Sequence, residues 1–384
     1  MEEKGLPVDK VWSELKAKLA EDLTYESGLI LGSMCTKPHS LARRVYTYSL
    51  DKNLGDPGLF KGSVAIEGEV VRMLGRLLSN PEAFGAIVSG GSEANLLALW
   101  AARNHSKGSE VIAPASAHIS IDKAANLLGL KLIKAPLTAS FQVNVQKVKR
   151  AVSNRTAALI GIAGTTSLGV VDPIEELSEI ALEEHLWLHV DAAFGGLVLP
   201  FLAELGYKAP SFDFRLKGVK SITVDPHKMG LTPIPAGGIL FRGKDLVKPI
   251  TFNVPYLSGG NAYQFTVTGT RPAAPVIAAW AIFKALGREG FRKIVARCMK
   301  LTNLLADNLS TIPRVKLVVK PVMNVVGISF QGVEASRVAA ALRSRGWALS
   351  AASNYIRIVV MPHVKRRHVE AFLKDLKEVL LKLV

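Results

Sequence analysis

Two segments are the most informative about the fold of this 384-residue chain: Ile222-Thr-Val-Asp-Pro-His-Lys-Met-Gly230 and, upstream of it, His189-Val-Asp-Ala-Ala-Phe-Gly-Gly196. In each, a short apolar run typical of a buried strand leads into a charged side chain, Lys228 in the first and Asp191 in the second. A lysine is normally a surface charge, but this one shares a turn with aspartate, proline, histidine and glycine, which indicates a shaped loop. A carboxylate at the end of a buried strand is costly unless it is paired, so Asp191 is expected to meet a ligand, a helix cap or a local cation.

Apolar strands alternate with helices around these two segments. Predicted strands cover 84–89, 110–114, 130–135, 156–163, 186–191, 220–224 and 236–242, and predicted helices cover 62–79, 92–105, 117–129, 144–152 and 174–185. Continuous apolar strands separated by helices are typical of a mostly parallel sheet that is buried on both faces. The sequence therefore predicts an α/β fold.

The chain divides into three predicted regions. Residues 1–60 are expected to form an amphipathic helix, 8–22, which packs either on its own domain or on a partner subunit, followed by a loop-rich leading segment. Residues 61–270 form the large domain, which ends in a connection rich in glycine and tyrosine, and residues 271–384 contain linking helices and a small α+β domain. The predicted elements of this last region are a long helical stretch at 272–309, strands at 314–319, 325–330 and 355–360, and helices at 334–344 and 366–383.

Composition and charge restrict the class of protein. Hydrophobic residues make up 49% of the chain and charged residues 21%, and the two cysteines, Cys35 and Cys298, cannot form a disulfide framework. The sequence shows no signal peptide and no apolar run long enough to span a bilayer, so a cytoplasmic protein without a membrane partner is expected. The net charge is +16, but the basic residues are scattered, and the densest group, Lys365-Arg-Arg-His368, opens a helix that also carries acidic residues. Nucleic-acid binding is therefore not predicted.

Polar or glycine-rich groups follow several of the predicted strands. Ser89-Gly-Gly-Ser-Glu-Ala-Asn95 opens a helix, where free N–H groups can hold a phosphate, although a tight turn with Ser92 as its cap is the simpler interpretation of that segment alone. Gly164-Thr-Thr-Ser167 offers hydroxyl groups for contacts or for capping, and His118 begins another helix. Since ligands of open α/β sheets bind beyond the carboxyl ends of the strands, we expect these groups to meet at one site.

This set of groups predicts pyridoxal phosphate as the cofactor and no metal. A lysine amine attaches that cofactor as a Schiff base, and an aspartate beside the pyridine nitrogen keeps the nitrogen protonated, so that the ring can accept electrons. We also expect desolvation to lower the pKa of the Lys228 amine and so to favour its attachment to the cofactor.

The same residues, in this order, resemble the group II pyridoxal phosphate-dependent decarboxylases of the fold-type I, aspartate aminotransferase-like, superfamily. Within this group, the chain closely resembles the archaeal branch of L-tyrosine or L-aspartate decarboxylases. The resemblance is strongest in three motifs, Ser-Gly-Gly-Ser-Glu-Ala-Asn, His-Val-Asp-Ala-Ala and Val-Asp-Pro-His-Lys-Met. It extends along nearly the whole chain, as far as Tyr355-Ile-Arg-Ile-Val-Val-Met-Pro-His-Val364.

The resemblance implies a role for each matching residue. Lys228, Asp191 and His118 would be catalytic: the Schiff-base lysine, the partner of the pyridine nitrogen and the imidazole stacked on the ring. The cofactor-binding set would be Gly91, Ser92, His118, Thr165, Asp191, Ala193, His227, Lys228 and Thr270. The superfamily places its sites at a homodimer interface, so Gly269-Thr-Arg271 would reach a neighbour's cofactor. Related decarboxylases return a proton to the substrate from a loop tyrosine, for which Tyr256 and Tyr263 are both candidates.

Aspartate is the expected substrate, giving β-alanine for coenzyme A synthesis, with tyrosine (giving tyramine) and glutamate as alternatives. An acidic substrate needs a cation in its pocket, ideally an arginine that can form two parallel hydrogen bonds, and Arg271 and Arg357 are candidates. A carbon–carbon lyase and a tRNA-dependent cysteine-forming enzyme are more distant possibilities on the same scaffold. A basic protein without catalytic activity would leave Lys228 and Asp191 unexplained.

Overall fold

The computed structural model describes residues 3–352 and 354–383. Its largest sheet has seven strands: β1 (Phe84–Val88), β2 (Glu110–Pro114), β3 (Lys131–Ala135), β4 (Thr156–Ile162), β5 (Trp187–Asp191), β6 (Val219–Val224) and β7 (Gly237–Phe241). They lie in the order β1-β7-β6-β5-β4-β2-β3, and β7 alone runs against the others. The predicted α/β class with a mostly parallel sheet is confirmed.

The reversed strand has a simple cause in the chain. A parallel neighbour needs a crossover of a dozen or more residues, usually a helix. Residues 225–236, between β6 and β7, contain no helix, so the chain folds back and β7 pairs with β6 in antiparallel register. As a result, the loop that holds Lys228 lies at the edge where β1, β4, β5 and β6 all end.

Helices cover both faces of the sheet. The helices of the described residues are α1 (Val8–Leu19), α2 (Ser40–Tyr48), α3 (Lys61–Leu77), α4 (Gly91–Ser106), α5 (Ile119–Leu127), α6 (Val145–Ala151), α7 (Ile174–Glu183), α8 (Leu199–Leu202), α9 (Ala274–Ser310), α10 (Ala335–Arg343) and α11 (Arg366–Leu383), and not all of them contact this sheet. The strands β4 and β5 are buried along their whole length, as a central position in a two-sided sheet requires. The edge strand β3 is mostly accessible to solvent.

A second sheet forms the core of the C-terminal unit. Its strands are β10 (Val315–Leu317), β11 (Val325–Phe330), β12 (Ser350–Ala351) and β13 (Ile356–Val359), in the antiparallel order β10-β11-β13-β12. The helices α10 and α11 pack on each other, and Trp347 meets Phe372 edge-on in the buried cluster between helices and sheet. The long helix α9 joins the two units and is interrupted at Gly287, whose φ of 55° lies in the left-handed region that favours glycine.

Several short elements of the structure were not predicted from the sequence. The leading segment, expected to be loop-rich, contains α2, whose first turn is capped by the His39 ring nitrogen accepting from Leu41 N at 3.2 Å and which packs on α9. The connection 251–270 forms a hairpin of β8 (Phe252–Val254) and β9 (Ala262–Gln264), and α8 and β12 were not predicted either. Short elements such as these depend for their stability on contacts with other parts of the chain.

The predicted N-terminal helix is present as α1 but does not dock on its own domain. None of its twelve residues is buried, and Trp12 is 55% exposed. Of the two arrangements that the amphipathic pattern allowed, packing on the chain's own domain is therefore wrong. Within 3–352 and 354–383, no helix is both long and apolar enough to cross a membrane.

Candidate active site

A cavity of about 510 Å³ opens at the carboxyl edge of the large sheet. It is lined by eight of the residues singled out in the sequence: Gly91, Ser92, His118, Asp191, Ala193, His227, Lys228 and Arg357. They come from the first turn of α4, the start of α5, the ends of β5 and β6, and the second sheet. The expectation that separate strand ends meet at one site is therefore confirmed.

Lys228 is held by a carboxylate that the sequence analysis had left without a role. Its Nζ lies 2.9 Å from Asp225 Oδ2, and Asp225 is only 2% exposed. Burial lowers the pKa of Lys228, but the attraction of Asp225 and Asp191 outweighs it, so that the pKa lies above its ordinary value. The expected lowering of the lysine pKa is thus wrong for the protein without its cofactor, because the amine has two carboxylates nearby.

Asp191 is fixed by two N–H donors. Its Oδ2 accepts from Asn95 Nδ2 at 2.9 Å and its Oδ1 accepts from Ala193 N at 3.0 Å. Asn95 is the second functional residue that the sequence analysis missed, although it ends a quoted motif. It lies one helical turn after Gly91 in α4, and that spacing, which puts two residues on the same helix face, is the signal that could have identified it.

Close packing requires glycine at two positions around the loop after β1, at Gly91 in the loop and at Gly237 facing it. A Cβ at Gly91 would lie 2.9 Å from Asp225 Oδ2 and 3.3 Å from Ala193 Cβ. A Cβ at Gly237 would lie 2.3 Å from the backbone of Gly90. The first-turn N–H groups of α4 therefore face the cavity without side chains between them, which suits an anionic group. Ser92 lies inside this first turn, so it is not the helix cap considered from the sequence.

The two histidines of the cavity are oriented by neighbours. His118 precedes α5, and its Nδ1 accepts from Ser120 N at 3.2 Å, which makes it the helix cap. His227 Nδ1 contacts Ala236 O at 2.5 Å, which requires the proton on Nδ1. The rings of both residues line the cavity.

Arg357 reaches the cavity from β13. Its Nη1 donates to Thr166 O at 2.7 Å, and its Nη2 donates to Ser350 Oγ at 2.8 Å and to Gly32 O. Its Nε is buried and has no hydrogen-bond partner among the described residues. Burial lowers the pKa of the guanidinium, as expected of a cation surrounded by neutral acceptors. A carboxylate ligand would satisfy both the free N–H and the charge.

Five of the predicted site residues lie outside the cavity. Arg271 donates to both carboxylate oxygens of Glu67, at 2.6 and 3.1 Å, and to Ile87 O, so its guanidinium is committed to a structural contact. Thr165 is buried and its Oγ1 accepts from Val170 N at 3.1 Å, which is a capping role within its turn.

The other three residues outside the cavity are on the surface of the chain. Tyr256 and Tyr263 are 83% and 77% exposed in the β8–β9 hairpin, and Thr270 is exposed as well. The structure of one chain therefore does not bring these residues to Lys228.

Comparison with known proteins gives a consistent assignment. Residues 39–331 match the family profile described as the pyridoxal-dependent decarboxylase conserved domain. The chain is 54% identical over 378 residues to the L-aspartate/L-glutamate decarboxylase of Pyrococcus horikoshii, covering 98% of both chains. It is 52% identical over 379 residues to the L-aspartate decarboxylase of Thermococcus kodakarensis, again covering 98% of both.

Solved structures show the same fold. The sphingosine-1-phosphate lyase of Burkholderia pseudomallei superposes with a TM-score of 0.93 at 30% identity, covering all of this chain and 92% of the lyase. The glutamate decarboxylase of Lactobacillus brevis superposes with a TM-score of 0.91 at 22% identity, covering all of this chain and 94% of that enzyme. The predicted fold-type I architecture is confirmed.

The cavity fits the cofactor of this family. It combines a lysine amine, a carboxylate that accepts two hydrogen bonds and still has free lone pairs, and a glycine-lined helix terminus for a phosphate. In addition, Asp225 Oδ1 is buried without a hydrogen-bond partner among the described residues, as expected where polar groups await a ligand. The chain belongs to the pyridoxal-dependent decarboxylase family of carboxy-lyases, and its cofactor is pyridoxal 5'-phosphate.

Proposed function

We propose that this protein is an L-aspartate 1-decarboxylase that releases CO₂ and forms β-alanine. The observation that carries the proposal is that Arg357 lines the same cavity as Lys228 and Asp191, with a buried N–H directed to no acceptor among the described residues. An acidic amino acid supplies the missing carboxylate. The names of relatives that are more than 50% identical over nearly the whole chain support the same substrate.

Each residue of the cavity has a proposed task. Lys228 would hold the cofactor covalently until the substrate amine takes the place of the lysine amine, and Asp191 would keep a negative charge beside the pyridine nitrogen. Gly91, Ser92 and His227 would hold the phosphate, and His118 and Ala193 would contact the two faces of the ring. When bound, the cofactor accepts the electrons left behind as the carboxylate departs. The protein's contribution is orientation, since the bond that breaks must stand perpendicular to the ring.

We further propose a homodimer that shares its active sites. The exposed tyrosines of the β8–β9 hairpin lie outside their own chain's cavity, and the apolar face of α1 is exposed, with none of the helix's residues buried. The first feature is explained if the hairpin of one subunit reaches the cavity of its partner, and the second if α1 packs on that partner. In that arrangement Tyr256 or Tyr263 donates the proton that replaces CO₂ on the substrate carbon.

Steady-state assays with aspartate, glutamate and tyrosine test the substrate. We expect β-alanine from aspartate as the main product, with glutamate as a slower substrate, because a relative is named for both acids. Lys228→Ala should lower activity by about 10⁴-fold or more, and Lys220→Ala, a lysine on β6 outside the cavity, should leave it unchanged. Tyramine without β-alanine would overturn the aspartate assignment.

Mixing of inactive variants tests the shared sites. If a partner tyrosine is required, subunits carrying Lys228→Ala and subunits carrying the critical Tyr→Phe change should regain activity when mixed, because one of the two sites is then complete. Mixtures of Lys228→Ala with Asp191→Ala should stay inactive, since both changes affect residues of one chain's cavity. Full activity of Tyr256→Phe and of Tyr263→Phe would exclude a tyrosine as the proton donor.

A further inference from the structure

Asn95 is the centre of a buried hydrogen-bond network beneath the cavity. Its Nδ2 donates to Asp191 Oδ2 and to Ser120 Oγ, each at 2.9 Å. Its Oδ1 accepts from Thr223 Oγ1 at 2.8 Å and contacts His189 Nε2 at 3.0 Å. These four contacts use every donor and acceptor position of the amide. Asn95 is 1% exposed, so water cannot take the place of a lost partner.

The groups at the two ends of the network, the Asp191 carboxylate and the Trp187 indole, fix the direction of every hydrogen bond between them. A carboxylate only accepts hydrogen bonds, so the amide NH₂ group of Asn95 must face Asp191. The amide oxygen of Asn95 must then accept from His189 Nε2. At the other end, Trp187 Nε1 can only donate, and it does so to Ser221 Oγ at 2.8 Å. The Ser221 hydroxyl then donates a hydrogen bond to His189 Nδ1, also at 2.8 Å. His189 is thereby a neutral imidazole with its proton on Nε2, and burial accordingly lowers its pKa to about 4.

The network reaches His118 through Ser120. Because Ser120 Oγ accepts from Asn95, its own proton is free to point at His118 Nδ1, 2.9 Å away. The backbone N–H of Ser120 points at the same nitrogen from 3.2 Å. A proton on His118 Nδ1 would therefore face two donors. The ring proton must lie on Nε2, on the side of the ring away from Ser120.

We propose that Asn95 and Ser120 are positioning residues that hold His118 as the neutral Nε2–H tautomer and tie its orientation to that of the Asp191 carboxylate. The two side chains that flank the cofactor, one at the pyridine nitrogen and one on the ring face, are then set by a single amide. This inference rests on the roles proposed for Asp191 and His118, but it does not depend on which amino acid is the substrate.

Imidazole ¹⁵N spectra of the ¹⁵N-histidine-labelled protein test the proposal directly, with and without cofactor. The His118 resonances are assigned by their loss in His118→Gln. In the wild type we expect an unprotonated Nδ1 and a protonated Nε2. Ser120→Ala removes the shorter of the two hydrogen bonds to His118 Nδ1 and leaves only the backbone N–H at 3.2 Å. A population of the other tautomer should therefore appear, whereas Ser120→Thr, which keeps the hydroxyl, should restore the single-tautomer signature. Asn95→Asp, which has the same shape but no N–H donor, should also lose the signature.

The outcomes separate this proposal from a merely structural role. A purely structural network would lower the unfolding temperature of Ser120→Ala and leave the His118 tautomer as in the wild type, and that result would overturn the proposal. A protonated Nδ1 in the wild type would overturn it as well. Because the spectra are recorded on the cofactor-free protein too, a wrong substrate assignment would leave them unaffected.

Discussion

Arg357 and Arg271 are matched in chemistry and differ in what their guanidinium groups contact. Arg357 lines the cavity and donates to neutral oxygens, and its Nε has no hydrogen-bond partner among the described residues, whereas Arg271 is paired with Glu67, both side chains being 12% exposed. A free cation in a cavity can bind a substrate, and a paired one stabilises the fold. The presence or absence of a carboxylate partner, and not the sequence motif, decides which role each arginine has.

Replacing each arginine by glutamine should therefore give opposite results. Arg357→Gln should raise KM for aspartate about 10- to 100-fold, since a hydrogen bond to a charged group contributes about 1.5–3 kcal/mol. Arg271→Gln should instead lower the free energy of unfolding by about 3–5 kcal/mol, because it leaves the Glu67 carboxylate unpaired. Steady-state kinetics and urea unfolding on both variants check the pair. An increase in KM in Arg271→Gln but not in Arg357→Gln would show that Arg271, and not Arg357, binds the substrate.

Asp225 should control the protonation of Lys228 in the cofactor-free protein. The pKa of Lys228 is raised in the folded state, so this lysine contributes stability that is present below its ordinary pKa of 10.5 and is lost as the pH rises through the folded-state value. In Asp225→Asn the main attraction is gone and burial lowers the Lys228 pKa.

Competitive acetylation at a series of pH values, followed by peptide mass spectrometry, measures this effect. The labelling curve of Lys228 should move to lower pH in Asp225→Asn, while that of Lys220 stays in place. Identical Lys228 curves in both proteins would show that Asp225 does not set the protonation of the amine.

Most site residues could be predicted because their motifs end strands. Lys228, Asp191, His118 and Ala193 follow apolar runs, and the parallel sheet brings such ends together. Asp225 was not predicted because its role depends on the atoms that it faces across the cavity, and Asn95 was not predicted although its spacing from Gly91 places it on the same face of α4. The exposed positions of Tyr256 and Tyr263 leave the identity of the proton donor a prediction.

At the scale of elements, α1 is the helix whose surroundings a single chain does not explain. Val8, Trp12, Leu15 and Leu19 are 40–71% exposed and lie on one helix face. Exposing an apolar face of this kind to water costs free energy, so we expect the dimer interface to cover it.

Polar substitution on this face should weaken the dimer. Trp12→Ser and Leu15→Ser should each raise the dimer dissociation constant by more than about tenfold, because a large side chain contributes about 2 kcal/mol when buried. Light scattering over a dilution series measures the change. Lys10→Ser, on the opposite face of the same helix, is the matched control. Unchanged dimers in both apolar variants would place the interface elsewhere.

Elements with strong periodicity were predictable and short ones were not. The helices α3, α4, α7, α10 and α11 fall within a few residues of their predicted ranges, since each carries a sustained apolar stripe. The direction of β7 was not predicted, because the sequence of a buried strand is the same whichever way it runs. It follows only from the missing helix between β6 and β7.

At the scale of the whole molecule, the buried His189 should make the protein sensitive to acid. Its pKa falls from 6.5 to about 4 on folding, so the unfolded chain binds more protons than the folded one between these values. Stability is therefore lost as the pH falls from 6.5 to 4, by about 3 kcal/mol from this group.

Urea unfolding midpoints across this pH range measure the effect. His189→Gln should be less stable than the wild type at pH 7 but should show a shallower loss on acidification. His105→Gln, outside the network, should keep the wild-type slope. Equal slopes in the wild type and His189→Gln would mean that other groups cause the acid sensitivity.

The overall architecture was predictable because alternating strands and helices allow few arrangements. The boundaries proposed for the three regions, 1–60, 61–270 and 271–384, stay predictions, since α9 joins the two units and its interruption at Gly287 does not coincide with a proposed border. What the sequence could not reveal is how far the small sheet contributes to the cavity, because Arg357 comes from a strand far from the other site residues in sequence.

The reversed strand β7 has a consequence for how the site is assembled. The loop 225–236 connects two strands that are direct neighbours, so closing it costs little chain entropy compared with the distant contacts of the rest of the sheet. Backbone hydrogen bonds from His227 N to Ala236 O and from Thr232 N to Pro226 O hold the loop together from within. The lysine is thus aimed by a local fold-back that needs neither cofactor nor partner, and cofactor capture can proceed on a chain whose attachment point is already in place.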